Sequence, residues 1–220
     1  ITNVAIQKTT FKYEIPYMLL ITAVLLVMGM TGNEITFIEG VILWILFIAY
    51  LLYLYFLAKK GNDSGDEQSV KLYPVWKCLL FIVLGGVCVV IGSQLVVNGA
   101  TTIARACGMS ERFIGLTIVA FGTSLPELVT SVSAARKGNA GIAIGNIVGS
   151  NIFNILFVIG TVALICPVPF ESRFVIDTVV AILCGVLLWG GTIRHKELRK
   201  PCGVVMLLCY AAYFVYLAAM

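Results

Sequence analysis

The feature that most constrains this chain is a succession of apolar runs of about 20 residues, the length at which a helix crosses the hydrocarbon core of a bilayer. Seven such runs occur, at approximately Tyr13–Thr31, Ile35–Ala58, Val75–Thr102, Phe113–Ala135, Ala140–Cys166, Phe174–Ile193 and Cys202–Ala219. Hydrocarbon offers no water to backbone N–H and C=O groups, so runs of this length must be helices. Of the 220 residues, 60% are hydrophobic and 12% charged, against about 45–50% and about 25% in soluble domains. The sequence therefore specifies an all-α polytopic membrane protein with about seven transmembrane helices.

The basic residues between the runs set direction. Lys8, Lys12, Lys59, Lys60, Lys71, Lys77, Arg136, Lys137, Arg194, Lys196, Arg199 and Lys200 fall on one side, and Arg105, Arg112 and Arg173 on the other. The richer side is expected in the cytoplasm, with the N-terminus of this chain inside and its C-terminus outside. The net charge of +4 is thus loop charge that orients helices, and nucleic acid is excluded as a partner; membrane lipid is the expected surround. The tryptophans at 44, 76 and 189 and the tyrosines at 13, 17, 210, 213 and 216 sit mostly near run ends, as interfacial anchors do. Seven cysteines without a CxxC spacing read as small apolar residues.

Between the second and third runs lies a polar stretch, Lys59–Lys71, rich in Gly, Ser and acidic residues. It predicts a flexible cytoplasmic linker over 59–74 and a hinge between a two-helix part, 1–58, and a five-helix half, 75–220. Its Asp63, Asp66 and Glu67 read as a solvated charged loop, with weak Ca²⁺ binding as the alternative. The chain opens on Ile1-Thr-Asn-Val with neither Met nor a signal peptide, the expectation for a piece of something longer.

Two stretches break the apolar pattern. Gly122-Thr-Ser-Leu-Pro-Glu127 places a carboxylate and a proline inside the fourth run. A charge at mid-membrane depth costs roughly 2.5–3.5 kcal/mol on insertion scales, so Glu127 needs a cation, a proton or water. Pro126 has no N–H to donate and its ring crowds the carbonyl four residues back, so the helix opens there and exposes backbone oxygens. Carbonyls, hydroxyls and a carboxylate are what hard cations such as Ca²⁺ and Na⁺ bind. Thr123, Glu127 and Thr130 or Ser131 share one face at the helical period. In Gly145-Asn-Ile-Val-Gly-Ser-Asn-Ile-Phe-Asn154 of the next run, Asn146, Ser150 and Asn154 recur every four residues and form a second polar stripe.

Other positions carry weaker signals. Gly85, Gly86, Gly92, Ser93, Gln94, Asn98 and Gly99 in the third run read as a packing surface, with a gating surface beside an ion path as the alternative. Gly141, Gly145 and Gly149 repeat at four and predict close approach to a neighbouring helix. Asp177 reads as an interfacial carboxylate and His195 as a solvated loop histidine.

The two motifs together, Gly122–Glu127 and Gly145–Asn151 on adjacent runs, resemble the second alpha repeat of the cation/calcium exchanger superfamily, most closely its bacterial sodium/calcium exchanger-like members. The resemblance places the repeat at 113–166 and covers essentially the whole chain. It implies part of a ten-helix inverted-repeat antiporter in a bacterial inner (plasma) membrane, exchanging Ca²⁺ for Na⁺ by alternating access, with no cofactor and no enzymatic activity. It further implies Glu127 as principal carboxylate, a backbone carbonyl from Thr123, hydroxyls from Ser124 and Ser150 and an amide oxygen from Asn154. Thr130, Asn146 and Asn151 are then supporting or helix-bridging groups. At the position of Asn154 some relatives carry Asp, which bears on sodium stoichiometry and potassium dependence. Only one alpha repeat occurs here, and the first two runs resemble the family's fourth and fifth helices. The expectation is a truncated chain whose site is completed by N-terminal helices with the first repeat, or by a second copy. Two other functions use the same oxygens: H⁺/Ca²⁺ exchange, and a passive cation channel or binding subunit.

Overall fold

The computed structural model describes residues 4–61, 74–109, 111–193 and 196–219. The linker carboxylates Asp63, Asp66 and Glu67, and likewise Lys71, Arg194 and His195, lie outside the described residues. Helices occur at each of the apolar runs. Five are long and apolar enough to cross a bilayer: α1 (Thr10–Gly32), α2 (Phe37–Lys60), α3 (Val75–Ala106), α6 (Ala140–Ile165) and α7 (Ser172–Ile193). The fourth run is divided into α4, residues 111–123, and α5, Leu125–Arg136. The last is the shorter apolar helix α8, Lys200–Ala219. By packing, the chain falls into two units, one of residues 1–65 and 133–209 and one of 66–132 and 210–220.

In the first unit, α1 lies along α7 and α2 along the second half of α6. Two small ladders join the helix ends. Strand β1 (Val4–Ala5) pairs antiparallel with β4 (Glu197–Leu198), and β2 (Glu34–Ile35) with β3 (Val168–Pro169). Each ladder is entered through a left-handed residue, Asn33 at φ 55° and Lys196 at φ 51°. The carbonyls of these residues accept hydrogen bonds across the loops, from Phe170 N–H at 2.7 Å and from Ile6 N–H at 2.8 Å. Helix α2 begins with a capping box: the Glu39 carboxylate accepts from the Thr36 N–H at 2.7 Å and from its hydroxyl at 2.8 Å.

The core of this unit is aliphatic, with Ile15, Ile21, Ile35, Leu43, Val148, Ile152 and Leu156 all less than 2% exposed. Glycine sets how near the helices come. A Cβ on Gly40 of α2 would stand 2.9 Å from Ala163 Cβ and 3.0 Å from the Gly160 carbonyl oxygen of α6. The Phe170 ring likewise fills the space beside Gly29, and a Cβ on Gly185 of α7 would lie 2.6 Å from Leu19 of α1. These contacts follow the small-residue logic of helix packing in lipid, but α6 makes its close approach at Gly160. At Gly145 and Gly149, where the sequence predicts it, an added Cβ meets nothing within 4 Å. The Gly145 and Gly149 positions sit instead toward the polar face of the helix.

The ladders also order the charges of this unit. The β1/β4 end carries Lys8, Lys12, Lys196, Arg199 and Lys200, together with the C-terminus of α2 (Lys59, Lys60) and the start of α6, where Gly141 abuts Gln7. The β2/β3 end carries Glu34, Glu39, Glu171 and Asp177, with Arg173 as its basic residue. Loops that the Lys/Arg count assigns to one side are thus joined at one end of the unit.

In the second unit α3 ends in a left-handed turn at Gly108, φ +77°, closed by the Met109 N–H on the Ala104 carbonyl at 3.0 Å. Arg105 then forks onto Glu111 at 2.6 and 2.9 Å, tying α3 to the start of α4. Those hydrogen bonds hold the Glu111 carboxyl below the usual carboxylate range. Both side chains are solvent-exposed, so the tie directs the turn more than it stabilises it.

The Gly40–Gly160 crossing yields a direct prediction. In the intact protein Gly40→Val should cost about 1–3 kcal/mol through overpacking, read as a lower thermal midpoint in detergent. Gly32→Ala, where an added Cβ has open space, should leave the midpoint near that of the parent.

Candidate functional site

The sequence-predicted residues occupy two local structures, one in each packing unit. The first is the break between α4 and α5. Helix α4 stops at Thr123, and Ser124 turns out of the helix at φ −92°, ψ 0°. Its N–H is shared between the Phe121 carbonyl, at 3.1 Å, and that of Gly122, before the Leu128 N–H resumes helical bonding to the Ser124 carbonyl at 3.0 Å. Pro126 is the second residue of α5, where a missing N–H costs nothing. The bend between Thr117–Thr123 and α5 is 51°. The helix opens at Pro126 as the sequence predicts, and for the reason that predicts it.

Two helix termini meet at this break. The last carbonyls of α4 carry the negative end of one helix dipole, and Glu127 stands in the first turn of α5, at the positive end of the other. The α4 terminus and the Glu127 side-chain oxygens together offer a cation a cluster of oxygen ligands. Glu127 is half-buried with its Oε2 atom shielded from solvent. Thr123 and Ser124 are exposed beside it; the Thr130 hydroxyl donates to the Pro126 carbonyl at 2.8 Å, and Ser131 is buried.

Helix α3 forms the other wall. A cleft of about 270 Å³ is lined by Ser93, Gln94 and Asn98 of α3 and by Gly122, Thr123 and Pro126 at the break. These α3 residues read in sequence as a packing surface. Among the described residues, however, Gly85, Gly86, Gly92 and Gly99 have nothing within 4 Å of an added Cβ, and α3 meets the break through Val97, which lies against Gly122. The polar residues around it face the cleft. The i, i+4 spacing of Gln94 and Asn98 carried that signal, in a helix whose many glycines suggested packing instead.

The second local structure is the outer face of α6. Ile144, Val148, Ile152 and Leu156 are buried on one side; Asn146 and Ser150 are half-buried and Asn154 exposed on the other. The Ser150 hydroxyl donates to the Ile147 carbonyl at 3.1 Å, and the Asn151 amide donates to the same carbonyl at 2.8 Å. Each bond fixes a donor and leaves an oxygen lone pair to accept or to ligate. At Asn154 the helix widens into a π-helical stretch, Asn154–Ile159, a departure frequent at functional sites. It had no sequence signal. The rings of Phe153 and Phe157 stack at 4.7 Å, and Phe47 and Trp44 of α2 pack on Phe157 at 5.4 and 5.2 Å, anchoring this part of α6.

The donor set is chemically narrow. It comprises one carboxylate, hydroxyls, amides and main-chain carbonyls, and no three His, Cys, Asp or Glu side chains gather among the described residues. Oxygen of this kind suits Ca²⁺, Na⁺ and other hard cations over Zn²⁺ or copper.

Comparison with known proteins points the same way. The family described as "Sodium/calcium exchanger protein" matches residues 77–219. The chain is 34% identical over 220 residues to the CaxA protein of Alkalimonas amylolytica, covering 96% of this chain and 69% of the relative. It is 38% identical over 142 residues to the sodium/calcium exchanger MaX1 of Methanosarcina acetivorans, covering 64% of this chain and 41% of the relative. The solved sodium/calcium exchanger of Methanococcus jannaschii superposes with a TM-score of 0.78 at 30% identity, over 97% of this chain and 67% of that one. The chain thus spans at most about two thirds of the length of these relatives.

The Gly122–Val97 contact can be tested by exchange of volume. In the intact protein Gly122→Ala should lower ion flux and thermal stability because its Cβ overlaps the Val97 side chain. Adding Val97→Ala should recover most of both. Independent, additive losses would show that the two residues do not meet.

Proposed function

The chain belongs to the sodium/calcium exchanger family of integral membrane transporters, and from that premise we propose that the intact protein exchanges Ca²⁺ for Na⁺ across the membrane by alternating access. The observation that carries this reading is the break at Ser124. It leaves α4 carbonyls and the Glu127 carboxylate at one point of an apolar segment, where a bound cation, a proton or water relieves the cost.

In this reading Glu127 supplies the charge of the site. Thr123 contributes its backbone carbonyl, Ser124 and Ser150 hydroxyls and Asn154 its amide oxygen, with Thr130, Asn146 and Asn151 holding those groups in place. Ca²⁺ takes about six to eight oxygens, so one carboxylate with these neutral groups makes part of a cage. The remaining ligands come from exchanger segments beyond this chain or, alternatively, from a second copy. Sodium coordinates well to the same neutral oxygens, so its occupancy weakens Ca²⁺ binding and Ca²⁺ weakens sodium in equal measure. Exchange needs that competition; a passive channel does not. Alternating access then has α3, with its polar face of Ser93, Gln94 and Asn98, and its counterpart from the first repeat move across the ion-holding helices.

Orientation follows from charge. The lysine- and arginine-rich β1/β4 end faces the cytoplasm. Cys166, exposed next to β3, should therefore react with an impermeant maleimide added outside intact cells, and labelling only after lysis would reverse the assignment.

In the reconstituted intact protein Glu127→Gln should reduce Ca²⁺-coupled flux to background without unfolding it. Asn154→Ala should weaken apparent Ca²⁺ affinity about tenfold, equivalent to ~1.4 kcal/mol. Normal flux in Glu127→Gln would remove Glu127 from the site.

A further inference from the structure

Away from the cation site, the first unit has a second cleft, of about 300 Å³, between α1 and α2. Its walls are Tyr13, Glu14, Tyr17, Tyr50 and Tyr53, with Leu46 at the base. The four rings form a file: Tyr17 stacks on Tyr50 at 5.5 Å, Tyr50 on Tyr53 at 6.2 Å, and Tyr53 meets Tyr13 at 6.2 Å. Tyr17 is accounted for, since its hydroxyl donates to the Leu46 carbonyl at 2.9 Å. Tyr53 is not: its hydroxyl oxygen is buried and makes no hydrogen bond among the described residues. Glu14, half-buried in the same wall, forms no ion pair among them either.

A carboxylate and an unbonded phenol beside stacked aromatic rings form a receptor for a cation that donates hydrogen bonds. Carboxylate and phenol accept N–H, and the rings favour positive charge. The depth is that of the headgroups. Glu14 is in the first turns of α1, Tyr53 is two turns from the Lys59–Lys60 end of α2, and both are at the basic end of the unit. Lys12, whose ammonium lies 5.3 Å from the Tyr13 ring centroid, stands at the rim with the complementary charge for a phosphate.

We propose that this cleft binds the headgroup of an ethanolamine phospholipid. The primary ammonium lies between Glu14 and the Tyr53 hydroxyl, and the phosphate faces Lys12. A choline headgroup brings the same charge but has no N–H to donate, so it meets the rings and leaves the Tyr53 oxygen and the Glu14 hydrogen-bonding capacity unfilled. The site is independent of the transport reading, because none of its residues lies on the α6 stripe or at the α4/α5 break.

The test is native mass spectrometry of the intact protein, delipidated and then exposed to equal amounts of ethanolamine and choline phospholipids with identical acyl chains. Ethanolamine lipid should be retained about tenfold over choline lipid, the discrimination of one or two charge-assisted hydrogen bonds. Glu14→Gln and Tyr53→Phe should each reduce that preference several-fold while ion flux shows the variants folded. Equal retention of the two lipids would overturn the proposal. So would a preference unchanged in both variants, or retention of neither lipid, as expected if a protein side chain fills the cleft.

Discussion

Everything at the candidate site depends on one rule of the bilayer, that backbone polar groups must find partners without help from water. Most of the described chain obeys it by running in unbroken helices. The Gly122–Glu127 segment does not: α4 ends, Ser124 leaves the helical region, and α5 starts again at Leu125 with Pro126 in its first turn. A break of this kind is tolerable only where it is buried in protein or lines a wet cavity. The cleft formed with Ser93, Gln94 and Asn98 sets polar side chains beside the break. Gly122 belongs to the same solution, since a side chain there would overlap Val97 and push the break away from α3.

The first unit does a different job, presenting one face of α6 while holding the other. Ile144, Val148, Ile152 and Leu156 are fixed in a core shared with α1 and α2. The Gly160–Gly40 crossing brings α2 within backbone distance, and the Trp44 indole N–H donates to the Thr161 hydroxyl at 3.2 Å. Asn146, Ser150 and Asn154 are consequently displayed by a helix that cannot rotate without emptying its own core. The Asn154 N–H still bonds the Ser150 carbonyl, so the stripe keeps its helical period to its last residue, and the π-helical stretch widens the helix from there on.

Much of this was legible in the sequence, and the reasons differ from element to element. The helices were readable because lipid demands length and apolarity, and the break because proline chemistry is local. The polar stripe on α6 was readable because it keeps a four-residue spacing. The role of α3 was not: glycine on a membrane helix signals packing in general, and whether a given glycine is touched depends on a partner the period does not name. For the same reason Gly145 and Gly149 drew attention that belonged to Gly160. The tyrosines at 13 and 17 read as interfacial anchors, and only the fold brings them beside Glu14, Tyr50 and Tyr53. The two ladders that tie the loops of the first unit are two residues a side, too short to leave a pattern.

Coupled exchange requires that Ca²⁺ and Na⁺ compete for one set of oxygens. The most direct measurement is Ca²⁺ uptake by proteoliposomes of the intact protein loaded with sodium, compared with vesicles that have a proton gradient and no sodium. Uptake should require the outward sodium gradient and stop when sodium is equal on both sides. Uptake that proceeds without sodium, or follows the proton gradient, would contradict sodium-coupled exchange.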